Sequence, residues 1–423
     1  MDLNTEGVNT SQLEQQKNNR VRVELKLFVL ILIHTPFGLE FFDRVAKWRI
    51  AKFYARFNTY LMPAITALAI FLILGSLLVM FSNAQAREGV RGVGPAANLL
   101  IPGLNPYLPI TFGLVALVIT IIIHEAGHGI VARVYGVKVE STGLVLILGI
   151  PIGAFVNIER EELARTKLKE KSAILTAGPM NNMIVAGLSL GLLYVVVSSL
   201  VPLPQPADAQ YGVEIMTVGD GSLASSIGMK KGDVIVNIEG DRVKHIEDLS
   251  MLLQSNLGNR VAITWKDTSG QEITKTASIP ASVRPNTGIL GITITNVSPD
   301  PEFVLSRYKS AFGSNPIAIL LPPTMAEGSV PYSDLMASKY SSTLGSAFPI
   351  IANFLFWLWF INFNVGIFNA LPIGPLDGGQ LYNSLIERKV SAGSTRFRNA
   401  SLILTLVMVT IVAVSFILPW ILR

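Results

Sequence analysis

Ile121-Ile122-Ile123-His124-Glu125-Ala126-Gly127-His128-Gly129 lies inside an apolar run at about 108–133. Eighteen or more mostly apolar residues suffice to cross a hydrocarbon core of about 30 Å, and an ionisable group within such a run is costly and points to function. Glu125 is the only acidic residue between Glu88 and Glu140. Histidines at i and i+4 of a helix project from one face, where both imidazoles reach a single zinc ion. The glutamate between them is placed to activate a zinc-bound water. The alternative reading is a buried polar network that only sets helix packing.

Similar runs recur on both sides, at about 61–81, 172–201, 348–368 and 399–420. The 423 residues are 50% hydrophobic and only 15% charged, where a soluble domain carries about 25% charge. This composition excludes a disordered chain and a nucleic-acid-binding protein. The fold class expected is a multi-pass α-helical membrane protein with about five to six transmembrane helices. Residues 1–20 are polar, so no cleavable signal peptide is expected. The absence of cysteine removes thiolate ligands, leaving histidine, carboxylate and carbonyl groups for any metal.

A catalytic zinc takes three protein ligands and keeps one position open for water. No histidine remains downstream in the apolar runs, and Asp377 is the only acidic residue between Asp334 and Glu387. It closes Asn369-Ala370-Leu371-Pro372-Ile373-Gly374-Pro375-Leu376-Asp377, directly after the fourth run. Proline and glycine break a helix there at membrane depth, which is tolerated where the backbone is buried in protein or lines a wet cavity. An aspartate capping the following helix is the alternative.

Between the runs the pattern changes. Residues 1–60 read as a polar tail and a membrane-surface segment: Leu27–Ile33 is too short to span, and Lys47-Trp48-Arg49-Ile50-Ala51-Lys52-Phe53-Tyr54-Ala55-Arg56 suits the lipid interface. Residues 137–158 alternate and carry a Gly149-Ile150-Pro151-Ile152-Gly153 turn, predicting a membrane-associated β-hairpin. Residues 207–297 read as a soluble α+β domain of short strands and Gly-Asp turns, and 298–346 as a linker. A first half of the membrane core at 108–201 and a second at 347–423 therefore flank the insert. Lys and Arg cluster in 1–60, 133–171 and 385–398 and are sparse in 82–107, which predicts a cytoplasmic N-terminus and places 207–297 outside the cytoplasm.

His124-Glu125-Ala126-Gly127-His128 on one span and Asn369–Asp377-Gly378-Gly379 on a later one resemble the site-2 protease family of intramembrane zinc metalloproteases, peptidase family M50. Ala177-Gly178-Pro179-Met180-Asn181-Asn182 is similar to that family's Gly-Pro-x-x-Asn motif. The resemblance covers roughly 108–200 and 348–390. It implies His124, His128 and Asp377 as ligands of one Zn2+ per chain and Glu125 as general base. It implies Asn182 and Asn369 as groups that hold the scissile backbone. Residues 222–240 resemble a PDZ domain of the bacterial protease type, which implies a peptide-binding strand near Gly288–Ile292, with Gly291 in the substrate-binding loop. The function implied is hydrolysis of peptide bonds within or near transmembrane helices of membrane-protein substrates, in a multi-pass protein of the plasma membrane. The partners implied are transmembrane substrates, the lipid bilayer and a peptide ligand of the PDZ-like domain. Two alternatives stay open: another membrane-embedded zinc peptidase with Glu159 as third ligand, and a catalytically silent membrane adaptor. His34 is expected at the interface, and His245 at the surface where a helix starts.

Overall fold

A computed structural model describes residues 21–26, 30–147, 150–204, 211–219, 221–281, 288–297, 300–314, 319–389 and 394–422. Strands β1 (Arg22–Lys26) and β2 (Leu30–Thr35) precede helices α1 (Leu39–Ala46), α2 (Arg49–Ser82), α3 (Ala84–Val93) and α4 (Ile110–Val134). Then come β3 (Val139–Ile147), β4 (Ile150–Ile158), α5 (Arg160–Arg165), α6 (Leu168–Ser198) and β5 (Val201–Pro202). A second series follows: β6 (Val213–Val218), α7 (Leu223–Ile227), β7 (Val234–Ile238), β8 (Asp241–Arg242), α8 (Ile246–Ser255), β9 (Arg260–Lys266), β10 (Glu272–Ser278) and β11 (Ile292–Asn296). The chain closes with α9 (Pro301–Ala311), α10 (Asp334–Ala337), β12 (Tyr340–Ser341), α11 (Phe348–Asn369), α12 (Asp377–Lys389) and α13 (Thr395–Ile421). Among the described residues five helices, α2, α4, α6, α11 and α13, are long and apolar enough to cross a membrane. The chain divides into two compact units, residues 1–191 with 354–423, and residues 192–353.

In the first unit the spanning helices are tied by small residues and interhelical hydrogen bonds, the means available where lipid removes the hydrophobic drive between helices. A Cβ on Gly127 of α4 would lie 2.6 Å from the Ala177 carbonyl oxygen of α6, so the two backbones touch there. Asn58 of α2 donates to the Ala173 carbonyl at 2.8 Å, and the Tyr54 hydroxyl to that of Ala177 at 2.9 Å. Thr66 donates to the Ala370 carbonyl at 2.9 Å, which anchors the break after α11.

The N-terminal region departs from the expected boundaries. The basic stretch 47–56 does not form a separate surface segment: 49–82 is one helix of 34 residues, about 51 Å long at 1.5 Å per residue, so its basic end extends beyond a 30 Å core. Residues 30–35 of the short apolar run form β2, and Leu27–Val29 lie outside the described residues. The hairpin over 137–158 is present as β3 and β4, but β2 pairs antiparallel with β3, giving a four-stranded sheet in the order β1-β2-β3-β4. Leu144 to Leu146 were open to a partner strand, and Ile31 to Ile33 supply it. Phe155 lies over Gly143 onto His34, with ring centroids 4.8 Å apart. His34 Nδ1 stands 3.1 Å from Ser141 Oγ, so this histidine sits within the sheet.

The second unit holds an antiparallel sheet ordered β10-β9-β7-β6-β11, with β8 paired to β7. Val213, Ile215, Ile235, Ile238, Ile263 and Trp265 build its core, packed with Leu249 and Leu253 of α8. Segment 298–346 is more than a linker. Helix α9 buries Val304, Leu305 and Tyr308, and the Tyr308 and Tyr332 hydroxyls meet at 2.8 Å. Burial pushes both phenols above their usual range. His245 does start α8, but it is only 4% exposed, stacked 4.1 Å from Phe303 of α9. Its surface location is thereby corrected: α9 covers it.

Candidate metal and catalytic site

His124 and His128 lie one turn apart on α4, both buried at 8% and 9% exposure. Asp377 is brought to them by the break after α11. Ile373 N–H donates to the Leu371 carbonyl at 2.8 Å and Leu376 N–H to that of Ile373 at 2.8 Å, so the chain reverses and α12 begins at Asp377. Side chains on Gly378 and Gly379 would collide with the carbonyls of Ala370 and Ile373, so both positions require glycine for α12 to start this close to the break.

The three candidate donor atoms converge. His124 Nε2 and His128 Nε2 are 3.2 Å apart, and Asp377 Oδ2 stands 3.0 Å from the first and 3.3 Å from the second. A tetrahedral zinc with bonds of about 2.0–2.1 Å has ligand atoms about 3.3 Å from one another. The triangle therefore has the size of one tetrahedral face. Space is provided as well as donors: a Cβ on Gly178 of α6 would lie 2.6 Å from His124 Nε2 and closer still to His128 Nε2. His128 Nδ1 donates to the Ile174 carbonyl at 2.7 Å, which leaves its Nε2 as a bare lone pair on the side of the triangle. The residues present fit a zinc ion. Among the described residues this is the one group of three or more His, Asp or Glu gathered so closely.

Glu125 follows His124 on the helix and reaches the sheet, where its Oε2 accepts the Val156 N–H at 2.9 Å. Val156 pairs with Thr142 but turns its N–H away from β3, so the outer edge of β4 faces α4. Asn182 is fully buried, its Nδ2 at 3.0 Å from His124 Nδ1. Asn369 donates to the Val365 carbonyl of its own helix at 3.0 Å and is not joined to the triangle. Glu159 pairs with Lys138 at 3.7 Å and stands outside the cluster. Gly291, in the second unit, adopts φ +68 and lines a cavity of about 280 Å³ between α8 and β11 with Leu249, Leu253, Ile289 and Ile292.

Sequence reasoning did not single out Gly178, Ile174 or Val156. Gly178 had a signal, since it opens the Gly-Pro-x-x-Asn stretch. The other two act through backbone groups, which no residue type announces.

The model of peptidase family M50 matches residues 112–413. An uncharacterised protein of Methanocaldococcus jannaschii is 25% identical over 373 residues, 87% of this chain and 81% of that one. A protein of Clostridium acetobutylicum named a putative zinc metalloprotease is 25% identical over 349 residues, 72% of this chain and 97% of its own length. A Campylobacter jejuni protein of the same name is 26% identical over 341 residues, covering 69% and 88%. With the matched span running from the start of α4 into α13 and including the whole triangle, the chain belongs to peptidase family M50, the site-2 protease family.

Proposed function

We propose that the protein is an intramembrane zinc endopeptidase that cleaves transmembrane segments of other membrane proteins. The observation that carries this is the triangle of His124, His128 and Asp377, with edges of 3.0–3.3 Å, its histidines on a helix apolar enough to lie in lipid and its aspartate just past the end of another. His124, His128 and Asp377 would hold one zinc, which when bound would supply Lewis-acid polarisation of the scissile carbonyl. Glu125 is the carboxylate placed to accept a proton from the attacking water and to deliver it to the leaving amine. Val156 N–H orients the Glu125 carboxylate for that transfer.

A substrate helix in lipid has its peptide groups bonded internally, so it must unwind before a carbonyl can be attacked. The outer edge of β4 receives the unwound segment as an added strand, and Ala154, two residues before Val156, turns the same edge outward. The domain at 207–297 is PDZ-like, and the cavity beside Gly291 takes an extended peptide along β11, an edge strand of its sheet. The N-terminus is cytoplasmic and the PDZ-like domain extracytoplasmic, in the plasma membrane.

The test is Glu125→Gln, reconstituted in vesicles with a model transmembrane substrate. Cleavage should fall by at least about 100-fold while bound zinc stays at the wild-type level. Unchanged cleavage in the variant would sink the proposal, and an absence of cleavage by the wild type would favour a silent adaptor.

A further inference from the structure

Three residues of α6, Ile174, Gly178 and Asn182, are spaced by four and share one face of the helix. That face meets His124 and His128, themselves spaced by four on α4. Gly178 leaves room for both Nε2 atoms, and one turn to either side α6 offers a partner to each Nδ1: the Ile174 carbonyl to His128 at 2.7 Å, and the Asn182 amide to His124 at 3.0 Å.

The two partners have different chemistry. A carbonyl only accepts, so His128 carries its proton on Nδ1 and keeps Nε2 bare. The Asn182 amide has two orientations of the same shape. With Nδ2 toward His124, the amide donates to Nδ1, and a neutral imidazole must then hold its proton on Nε2, 3.0 Å from Asp377 Oδ2. In that orientation Asn182 Oδ1 is also buried with no hydrogen-bond partner among the described residues. A half-turn about χ2 exchanges oxygen and nitrogen: Nδ2 takes the place Oδ1 held, the His124 proton moves to Nδ1, and Nε2 is left bare as a metal ligand must be.

We propose that Asn182 is a positioning residue of the metal site, its amide oxygen accepting the Nδ1 proton of His124 and so presenting the bare Nε2 to the metal. Asn182 is then matched to the Ile174 carbonyl across Gly178, and α6 fixes both imidazoles. The site residue closest to a substrate-holding role by motif acts instead through His124. This deepens the zinc-ligand reading above and rests on it.

The experiment is zinc titration of the full chain in detergent, stripped of metal and challenged with a competing fluorescent zinc chelator. Asn182→Leu keeps the shape and removes the acceptor, and zinc affinity should fall about 10–100-fold. Asn182→Asp restores an acceptor and should stay within about threefold of wild type. Asn182→Leu binding zinc within threefold of wild type, with only cleavage impaired, would overturn the proposal in favour of substrate contact. Asn182→Asp binding as weakly as Asn182→Leu would overturn it too. A second readout needs no variant of Asn182: ¹⁵N-histidine spectra of the metal-free chain, which has four histidines, report the tautomer directly. Protonated Nδ1 at His124 supports the assignment, and protonated Nε2 contradicts it. The underlying ligand reading fails differently, by His124→Ala retaining wild-type zinc affinity.

Discussion

Gly178 concentrates the residue-scale logic of the site, because what matters there is the side chain it lacks. A methyl group would enter the space of both imidazole Nε2 atoms, and α6 is held to α4 by the hydrogen bond from Asn181 Nδ2 to the Ile123 carbonyl at 3.1 Å. Gly178→Ala should therefore lower zinc affinity by about tenfold or more, by the same titration, while the helix gains propensity. Wild-type affinity in that variant would show that the imidazoles have room to move. The residues bearing side-chain chemistry were legible in the sequence: the spacing of His124 and His128 and the isolation of Glu125 and Asp377 among apolar residues mark them. The Ile174 carbonyl and the Val156 N–H were not, since every residue carries such groups and only the fold aims them. His245 was misplaced for a related reason. Its local pattern gives a helix start, and its burial depends on Phe303, 58 positions away in the chain.

At the scale of elements, the edge strand β4 is the part most exposed to test. Val156 N–H points away from β3, so a proline at 156 removes no ladder bond, whereas at the neighbouring 157 the N–H faces β3. Val156→Pro should leave the protein folded and zinc-loaded but lower kcat by about tenfold, through loss of the group that orients Glu125. Asn157→Pro should disrupt the sheet itself, seen as faster proteolysis of the loops around it. If Val156→Pro cleaves like wild type, the Glu125 contact has no part in the reaction. The five long helices follow from the apolar runs, and their ends shifted by only a few residues except at α2. The addition of β1 and β2 to the hairpin was not legible, because pairing between residues more than 100 positions apart is set by which edge is free in three dimensions. The order within 298–346 was hidden likewise: its prolines and serines suggest a linker, and its buried tyrosines reveal themselves only once α9 is packed.

For the whole molecule, the uneven charge carries the argument. Residues 202–346 hold 25 of the 63 charged side chains (11 basic and 14 acidic) and none of the five long apolar helices, so the chain joins two materials, one suited to lipid and one to water. On the proposed orientation, the basic loops of the first lie on the cytoplasmic side and the second lies outside. With no native cysteine, single replacements report this cleanly. In intact cells, Ser269→Cys should react with a membrane-impermeant maleimide and Glu161→Cys should react only after permeabilisation. The reverse pattern would invert the topology.

The zinc centre itself is tested most directly by metal content, measured on the purified full chain beside its Asp377→Asn variant. One zinc per wild-type chain and a loss of most of it in Asp377→Asn is the expected result. Zinc retained at the wild-type level in Asp377→Asn would contradict the assignment of the third ligand, and with it the site as described.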